Sequence, residues 1–241
     1  MKHSPADVVA GVIRSRRSIR HYLADPVPPG QLRALLDLAL EAPSSWNFQD
    51  RSIVVVSDPE GLEGLTRATG GQPQPQEAPV MLVFVAESEA WRNQQDDIYE
   101  RAQRNGAWHA DFIATFAHDA QAFQLDLAKR GLLREYAVKN AMIAATYVML
   151  AATSMGLATS PMNGWDENEV KKVIGIDGRE DLAIALLLAV GKPAEQRLHP
   201  GRRPPERNIF YQRYGQSSPS VPPDDGDRSD MTSSSAVSAR T

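Results

Sequence analysis

The amino-acid sequence predicts an α+β domain, and the order of its segments is the main reason. Apolar runs typical of strands are separated by segments with helical periodicity, in the order helices, strand, helix, strand, helical block and late strand. Because strands and helices do not alternate regularly along this order, a doubly wound parallel sheet is not favoured. The length of 241 residues allows one sizeable core, or at most two small domains.

Two amphipathic helices are predicted before the first strand. The first begins near Ser4-Pro5, where a serine suited to the N-cap precedes a proline, and it ends in a basic turn over residues 14–20. The proline-rich residues 25–30 are predicted to form a loop. A second helix is predicted over residues 31–42, where a following proline stops it.

Three strands are predicted from apolar runs. Residues 52–57 contain four consecutive β-branched residues, and residues 79–86 follow a loop rich in glycine, proline and glutamine around residues 70–77. Residues 181–191 form a nearly continuous apolar run. A run of that kind is typical of a central strand that is covered on both faces.

The segment between the second and third of these strands is predicted to be helical. Residues 87–134 have a mostly helical composition with a break at Gly131, and residues 135–155 are the longest and most apolar helix candidate. Polar and small residues interrupt the apolar stretch at residues 141–158, so a membrane span is not favoured there. We expect this helix at a subunit interface, because a monomer would struggle to bury every side of it.

Residues 1–215 are expected to form the folded domain and residues 216–241 a disordered tail. The tail is rich in serine, proline, aspartate and glycine, and it cannot bury enough apolar surface to become ordered. The first ten residues carry no apolar signal-peptide core. This feature and the absence of cysteine agree with an expected cytoplasmic location.

The composition and the missing motifs exclude several kinds of site. Without cysteine there are no disulfides, Cys-ligated zinc sites, iron–sulfur clusters or thiol nucleophiles. A net charge of −4 argues against binding of nucleic acid by the whole surface. The sequence has no G-x-G-x-x-G after a strand, no P-loop and no G-x-S-x-G, and its five histidines lack the usual metal-ligand spacing.

The first positive signal is the basic turn that follows the first helix. In an extended turn, Arg16, Ser18 and Arg20 project to the same side and could converge on one anion. Arginine suits phosphate because its planar guanidinium donates two parallel hydrogen bonds. The alternative is a basic helix C-terminus that only complements the helix dipole.

The second signal is the loop at residues 42–49. Asn47 and Gln49 offer paired donors and acceptors that suit the edge of a heterocycle. The alternative is a polar turn whose two aromatic residues, Trp46 and Phe48, pack into the core.

Two further segments lie late in the chain. Residues 160–166 are predicted to be irregular, with free backbone N–H groups that can face a ligand, although Asp166 could instead only cap a helix. Arg202 and Arg203 form a second basic cluster after Gly191-Lys192-Pro193. The sequence does not show whether the two basic clusters meet.

Taken in order, these four segments resemble the nitroreductase family, over about residues 8–214. The resemblance lies in R-S-x-R at the basic turn, A-P-S-S-x-N-x-Q before a V-V-V strand, P-x-N-G-W-D after an alanine-rich helix, and the late G-K-P and R-R-P. The family implies a homodimer with a nitroreductase-like fold, a central mostly antiparallel sheet flanked by helices, and a long hydrophobic helix at the dimer interface. It also implies an FMN in each of two clefts between the subunits.

The resemblance assigns cofactor contacts by motif position. Arg16, Ser18 and Arg202 would hold the phosphate, Arg17 would contact the ring, and Arg20 would lie near the flavin pyrimidine edge, where a cation stabilises the reduced flavin. Asn47 of the other subunit would bond the ring edge with help from Gln49, and the backbone of residues 161–164 would cover one flavin face and donate to N5. The whole predicted cofactor site comprises Arg16, Arg17, Ser18, Arg20, Ser45, Asn47, Gln49, Pro161, Met162, Asn163, Gly164, Arg202 and Arg203.

The implied activity is ping-pong hydride transfer from NAD(P)H through FMN to a nitroaromatic or quinone. The flavin carries the chemistry, so no catalytic side chain and no metal are expected. The alternatives are another acceptor on the same scaffold (dehalogenation, enone or aldehyde reduction, flavin destruction), a flavin-binding sensor without turnover, and an anion- or nucleic-acid-binding module.

The sequence departs from the resembled pattern at two positions. Asn163 stands where the family often has glutamate, and Asp50 stands where it usually has proline. The physiological acceptor, the choice between NADH and NADPH, the cleft residues within 87–134 and the role of the tail stay open.

Overall fold

The computed structural model describes residues 4–93 and 95–216, in two compact units that divide between Leu198 and His199. The first unit contains the sheet and nearly all of the helices. The disordered tail predicted for residues 216–241 lies outside the described residues, apart from Gln216.

The first unit is built on a four-stranded antiparallel sheet. Its strands are β1 Arg51–Val56, β2 Val80–Glu87, β3 Ala158–Met162 and β4 Leu182–Gly191, in the order β1-β2-β4-β3. The two central strands are almost wholly buried, and a separate apolar cluster covers each face of the sheet. The predicted α+β class, with a mostly antiparallel sheet and a covered last strand, is therefore confirmed.

Eight helices surround this sheet in the described part of the chain. They are α1 Pro5–Ser15, α2 Pro29–Leu40, α3 Pro59–Ala68, α4 Pro73–Glu77, α5 Asp96–Arg104, α6 Ala110–Lys129, α7 Leu133–Ser154 and α8 Glu167–Val173. Local sequence explains several starts, because Ser4 and Asp7 form a capping box on α1 and Asp58 caps α3 ahead of a proline. The predicted break at Gly131 is also confirmed, since its φ of 68° ends α6 just before α7 begins.

Helix α7 packs on one face of the sheet. Seven of its residues are buried, most of them alanines whose small side chains let the helix approach the sheet closely. Its other side leaves Ile143 and Tyr147 37% and 41% exposed. Within the described ranges, no helix combines the length and apolar character that a membrane crossing needs.

Two local predictions are wrong. Residues 73–77 form the short helix α4 where a loop was expected, because two prolines stand in its first turn and Pro73 can begin a helix. The segment expected to be irregular from residue 160 begins as the edge strand β3, in which Pro161 lies opposite Leu188. An edge strand tolerates proline because one of its sides needs no backbone donor.

Candidate functional site

The basic turn lies along the outer edge of β3. Ser18 forms an isolated parallel bridge with Thr159, and the backbone N–H of Ile19 donates to the Thr159 carbonyl at 3.1 Å. Ile19 is buried, whereas Ser18 and Arg20 on either side of it remain at least partly exposed. The extended turn predicted from the sequence is therefore present, with its polar positions facing away from the core.

The turn brings several hydrogen-bond donors together. Arg16 Nη1 lies 3.4 Å from Ser18 Oγ, so one bound anion can contact both side chains. Arg17 Nη1 donates to the carbonyls of Arg14 and Arg16 at 2.6 and 2.9 Å, which matches the alternative of a basic residue on a helix C-terminus. Arg17 Nε is buried without a hydrogen-bond partner in the described residues, and so is Thr159 Oγ1 on the adjoining strand. Buried polar atoms without a partner are rare, so these two atoms agree with a turn whose missing hydrogen bonds are supplied by a bound ligand.

Glu195 fixes the backbone of this turn, a contact that the sequence analysis did not predict. Its Oε1 accepts from the backbone N–H of Arg20 at 2.7 Å and from Arg197 Nε at 2.8 Å. The hydrogen bond from Arg197, followed by the one from Arg20, lowers the pKa of Glu195 to about 2. The Arg20 backbone is thus held in place while its side chain stays exposed.

Residues 161–164 continue from β3 beside the basic turn. Met162 is buried, so only its backbone can face a ligand, whereas Asn163 and Gly164 are exposed. Gly164 has a φ of 112°, a conformation that strains other residues, and its carbonyl accepts from Gln72 Nε2 at 3.1 Å. Asp166 then caps α8, as the alternative interpretation expected. The edge of β3 therefore brings the first and third predicted segments together.

The loop before β1, which we call the cofactor loop (residues 44–49), has an unusual backbone. Trp46, Asn47 and Gln49 have φ values of 56°, 51° and 51°, in the left-handed region that residues other than glycine rarely adopt. Trp46 packs against Phe116 and Phe123 on α6, with ring centroids 5.0 and 5.8 Å apart. Strain of this kind clusters at ligand sites.

The aromatic and amide side chains of this loop have different environments. Phe48 is buried and Trp46 is half-buried, as the core-packing alternative expected. Asn47 is half-buried, and Ser45 and Gln49 are exposed. The polar side chains of the loop therefore remain accessible to a ligand.

A buried polar network supports the base of the cofactor loop. Asn140 Nδ2 on α7 donates to both carboxylate oxygens of Asp50 at 3.0 Å, while Asn140 Oδ1 accepts from the backbone N–H of Ser45 at 3.2 Å. Tyr136 Oη donates to the Ser45 carbonyl at 3.0 Å. Asp50 is only 3% exposed, and burial raises its pKa to about 6. No sequence pattern indicates a role for Asn140 or Tyr136, which lie 95 and 91 residues from Ser45 along the chain.

Replacing Asp50 with asparagine should stabilise the ligand-free protein at neutral pH. Between the ordinary pKa of 3.8 and the folded pKa of about 6, the folded state binds more protons than the unfolded state. The Asp50 contribution to the free energy of unfolding therefore falls with rising pH in this window, by about 3 kcal/mol in all. Urea unfolding should show D50N to be more stable by about 1–3 kcal/mol at pH 7.5, without that decline. Equal pH slopes in the two proteins would contradict this prediction.

The cofactor loop and the basic turn lie at opposite corners of the sheet. The loop precedes Arg51 on edge strand β1, at the end where β4 begins, whereas Ser18 pairs beyond edge strand β3, at the end where β4 finishes. Strand spacing and rise place these two corners roughly 30 Å apart along the diagonal of the sheet. A small ligand on the basic turn would therefore meet a cofactor loop only from a second copy of the chain.

Arg202 and Arg203 belong to the second unit. Both are exposed, and Arg202 Nη1 donates to the Gly201 carbonyl at 2.7 Å. The backbone N–H of Gly201 donates to His199 Nδ1 at 2.9 Å. Their role in a phosphate site stays a prediction.

Comparison with known proteins shows which family this chain resembles in sequence and fold. The sequence model of the nitroreductase family matches residues 13–192. An NADH dehydrogenase of Thermus thermophilus is 36% identical over 198 residues, which cover 81% of this chain and 92% of that protein. An FMN reductase [NAD(P)H] of Bacillus subtilis is 26% identical, over 84% of this chain and 72% of that protein. The structure of the Bacillus subtilis protein ydfN, described as a nitroreductase, has a TM-score of 0.76 at 26% identity and covers 84% of this chain and 97% of its own.

Proposed function

This chain belongs to the nitroreductase family, and from that membership we propose that it binds FMN and acts as an NAD(P)H-dependent oxidoreductase. The proposed acceptors are nitroaromatic compounds, quinones or both. The names of the family and of its relatives, among them an FMN reductase that uses NAD(P)H, support this assignment. When bound, FMN would supply two-electron redox chemistry between NAD(P)H and the acceptor, and the protein's own residues would bind and orient it.

The observation that carries the proposal is the pairing of the basic turn with the edge of β3. Arg16 and Ser18 would hold the phosphate, and the orphaned Arg17 Nε on the same turn suits an anion as well. Residues 161–164 follow directly on that edge, and Gly164 lets the backbone come close to a planar ring. Arg20 would place a positive charge near the ring, where it favours the reduced cofactor.

We also propose that the working form is a homodimer. The basic turn and the cofactor loop of one protomer lie roughly 30 Å apart, so Asn47 would reach a ligand on the basic turn only from the second copy. Helices α1 and α7 are in contact and expose apolar side chains, namely Val8, Val9 and Ile13 on α1 and Ile143 and Tyr147 on α7. A cluster of exposed apolar groups of this kind favours burial against a partner.

The visible spectrum of the purified protein tests the cofactor assignment. We expect the absorption bands of oxidised flavin, and about one FMN per chain should be released on denaturation. NADH or NADPH should bleach these bands anaerobically, and addition of a nitroaromatic or a quinone should restore them.

Other outcomes separate the alternatives. Flavin that NADH and NADPH cannot bleach would identify a sensor without turnover. Flavin that is bleached but not reoxidised by either class of acceptor would favour another reaction on the same scaffold, such as dehalogenation or enone reduction. A colourless protein that takes up no added FMN would contradict the assignment.

A further inference from the structure

We propose that Asp50 is a positioning residue for the cofactor loop, because its carboxylate sets the orientation of the Asn140 side-chain amide and thereby fixes the loop backbone at Ser45. The inference rests on the proposed function, since it concerns the loop that would bring Asn47 to the cofactor.

The orientation of Asn140 follows from the chemistry of its two neighbours. An ionised carboxylate can only accept hydrogen bonds, so the NH2 side of the amide must face Asp50, from which it lies 3.0 Å to each oxygen. The carbonyl side of the same amide then faces the backbone N–H of Ser45, at 3.2 Å. A donor at position 50 would lose this selection, because it could also bind the carbonyl side.

The loop depends on such external bonds because its own backbone is strained. Each of its three residues in the left-handed region costs about 1 kcal/mol or more. The bond from Tyr136 Oη to the Ser45 carbonyl adds a second external attachment, and the bond from the Gln49 N–H to Ser44 Oγ joins the two ends of the loop. If Asn140 turned around, the Ser45 N–H would lose its acceptor, and the loop would relax toward ordinary backbone conformations.

The device should respond to pH because Asp50 changes from an acceptor to a donor when it is protonated. Three charged or titratable groups face it, and each has another partner. The Arg51 guanidinium donates to the Ala42 carbonyl, the Glu87 carboxylate accepts from the Ser52 hydroxyl, and Tyr136 Oη donates to Ser45. With a folded pKa of about 6, Asp50 holds the loop firmly above that pH and loosens it below.

Hydrogen exchange of the cofactor loop in the ligand-free protein tests the inference directly. At pH 7.5 the D50N variant, which is expected to fold because the substitution stabilises the protein, should exchange the amides of residues 44–49 about tenfold faster than the wild type. The matched control is Asp126→Asn, which removes an exposed carboxylate on α6 and should leave the loop unchanged. Loop exchange in D50N equal to that of the wild type would overturn the proposal.

The FMN dissociation constant, followed by flavin fluorescence, gives a second readout. In the wild type and in Asp126→Asn, FMN should bind more weakly at about pH 5 than at pH 7.5. In D50N the ratio of the FMN dissociation constant at pH 5 to that at pH 7.5 should be about tenfold smaller than in the wild type. The FMN phosphate also titrates near pH 6, but it does so equally for all three proteins and cancels in the comparison.

These measurements separate the two claims. An identical pH dependence of FMN binding in D50N and the wild type would overturn the role of Asp50. If none of the three proteins bound FMN, the proposed function would fail, and the exchange experiment would still decide whether Asp50 holds the loop.

Discussion

Replacing Ile143 by aspartate should convert the protein from a dimer to a monomer and abolish FMN binding. Ile143 is 37% exposed on α7, beside Tyr147, on the apolar surface assigned to the partner protomer. Burying an unpaired carboxylate there costs several kcal/mol in each protomer, which corresponds to a dimer dissociation constant raised by about 1,000-fold or more. Sedimentation velocity measures the assembly, and flavin fluorescence measures the binding.

The loss of FMN should follow from the loss of the dimer. The basic turn of a monomer lies roughly 30 Å from its own cofactor loop, so the site keeps its phosphate contacts but lacks Asn47. Asn168→Asp is the control, because it adds the same charge at an exposed position of α8, on the other face of the sheet. The two-subunit site would be ruled out by an I143D monomer that binds FMN as tightly as the wild type.

Replacing Arg16 by alanine should weaken FMN binding by about 100-fold. The guanidinium lies 3.4 Å from Ser18 Oγ, and the two groups would share the phosphate. Loss of a charge-assisted, two-pronged contact of this kind costs about 3 kcal/mol. Equilibrium titration followed by flavin fluorescence measures the change.

Riboflavin makes this test specific, because it carries the same ring without the phosphate. We expect R16A to bind riboflavin about as well as the wild type does. Arg33→Ala serves as the control, since it removes an exposed arginine that pairs with Asp37 on α2. An equal loss for FMN and riboflavin would show that Arg16 does not hold the phosphate.

The sequence was a good guide wherever one short segment carried its own signal. The predicted strands at 52–57, 79–86 and 181–191 lie within one residue of β1, β2 and β4 at each end, because each is a short apolar run, two of them rich in β-branched residues, which is typical of a strand. Strand β3 was not predicted because its residues, Thr, Ser and Pro among them, form no apolar run. It is a strand because β4 on one side and Ser18 on the other supply its partners.

The same distinction between local and long-range signals applies to the residues of the candidate site. Residue types within short segments marked Arg16, Ser18, Asn47 and residues 161–164 as candidates, because donors and acceptors suited to an anion or a heterocycle stand close together there. Glu195 and the Asn140 amide were not predicted, since each acts on a backbone group far along the chain. A contact between residues far apart along the chain produces no periodic pattern in the sequence.

By itself, the sequence determined the α+β class, the strands that carry their own apolar signal and the chemical types present at the site. The tertiary structure alone decided which of these segments meet. Backbone pairing set the edge of β3 beside the basic turn, and the strand order put the cofactor loop at the far corner of the sheet. The physical reason is that side-chain chemistry and hydrophobic period are local properties, whereas proximity follows from how the whole chain buries its apolar surface and satisfies its backbone hydrogen bonds.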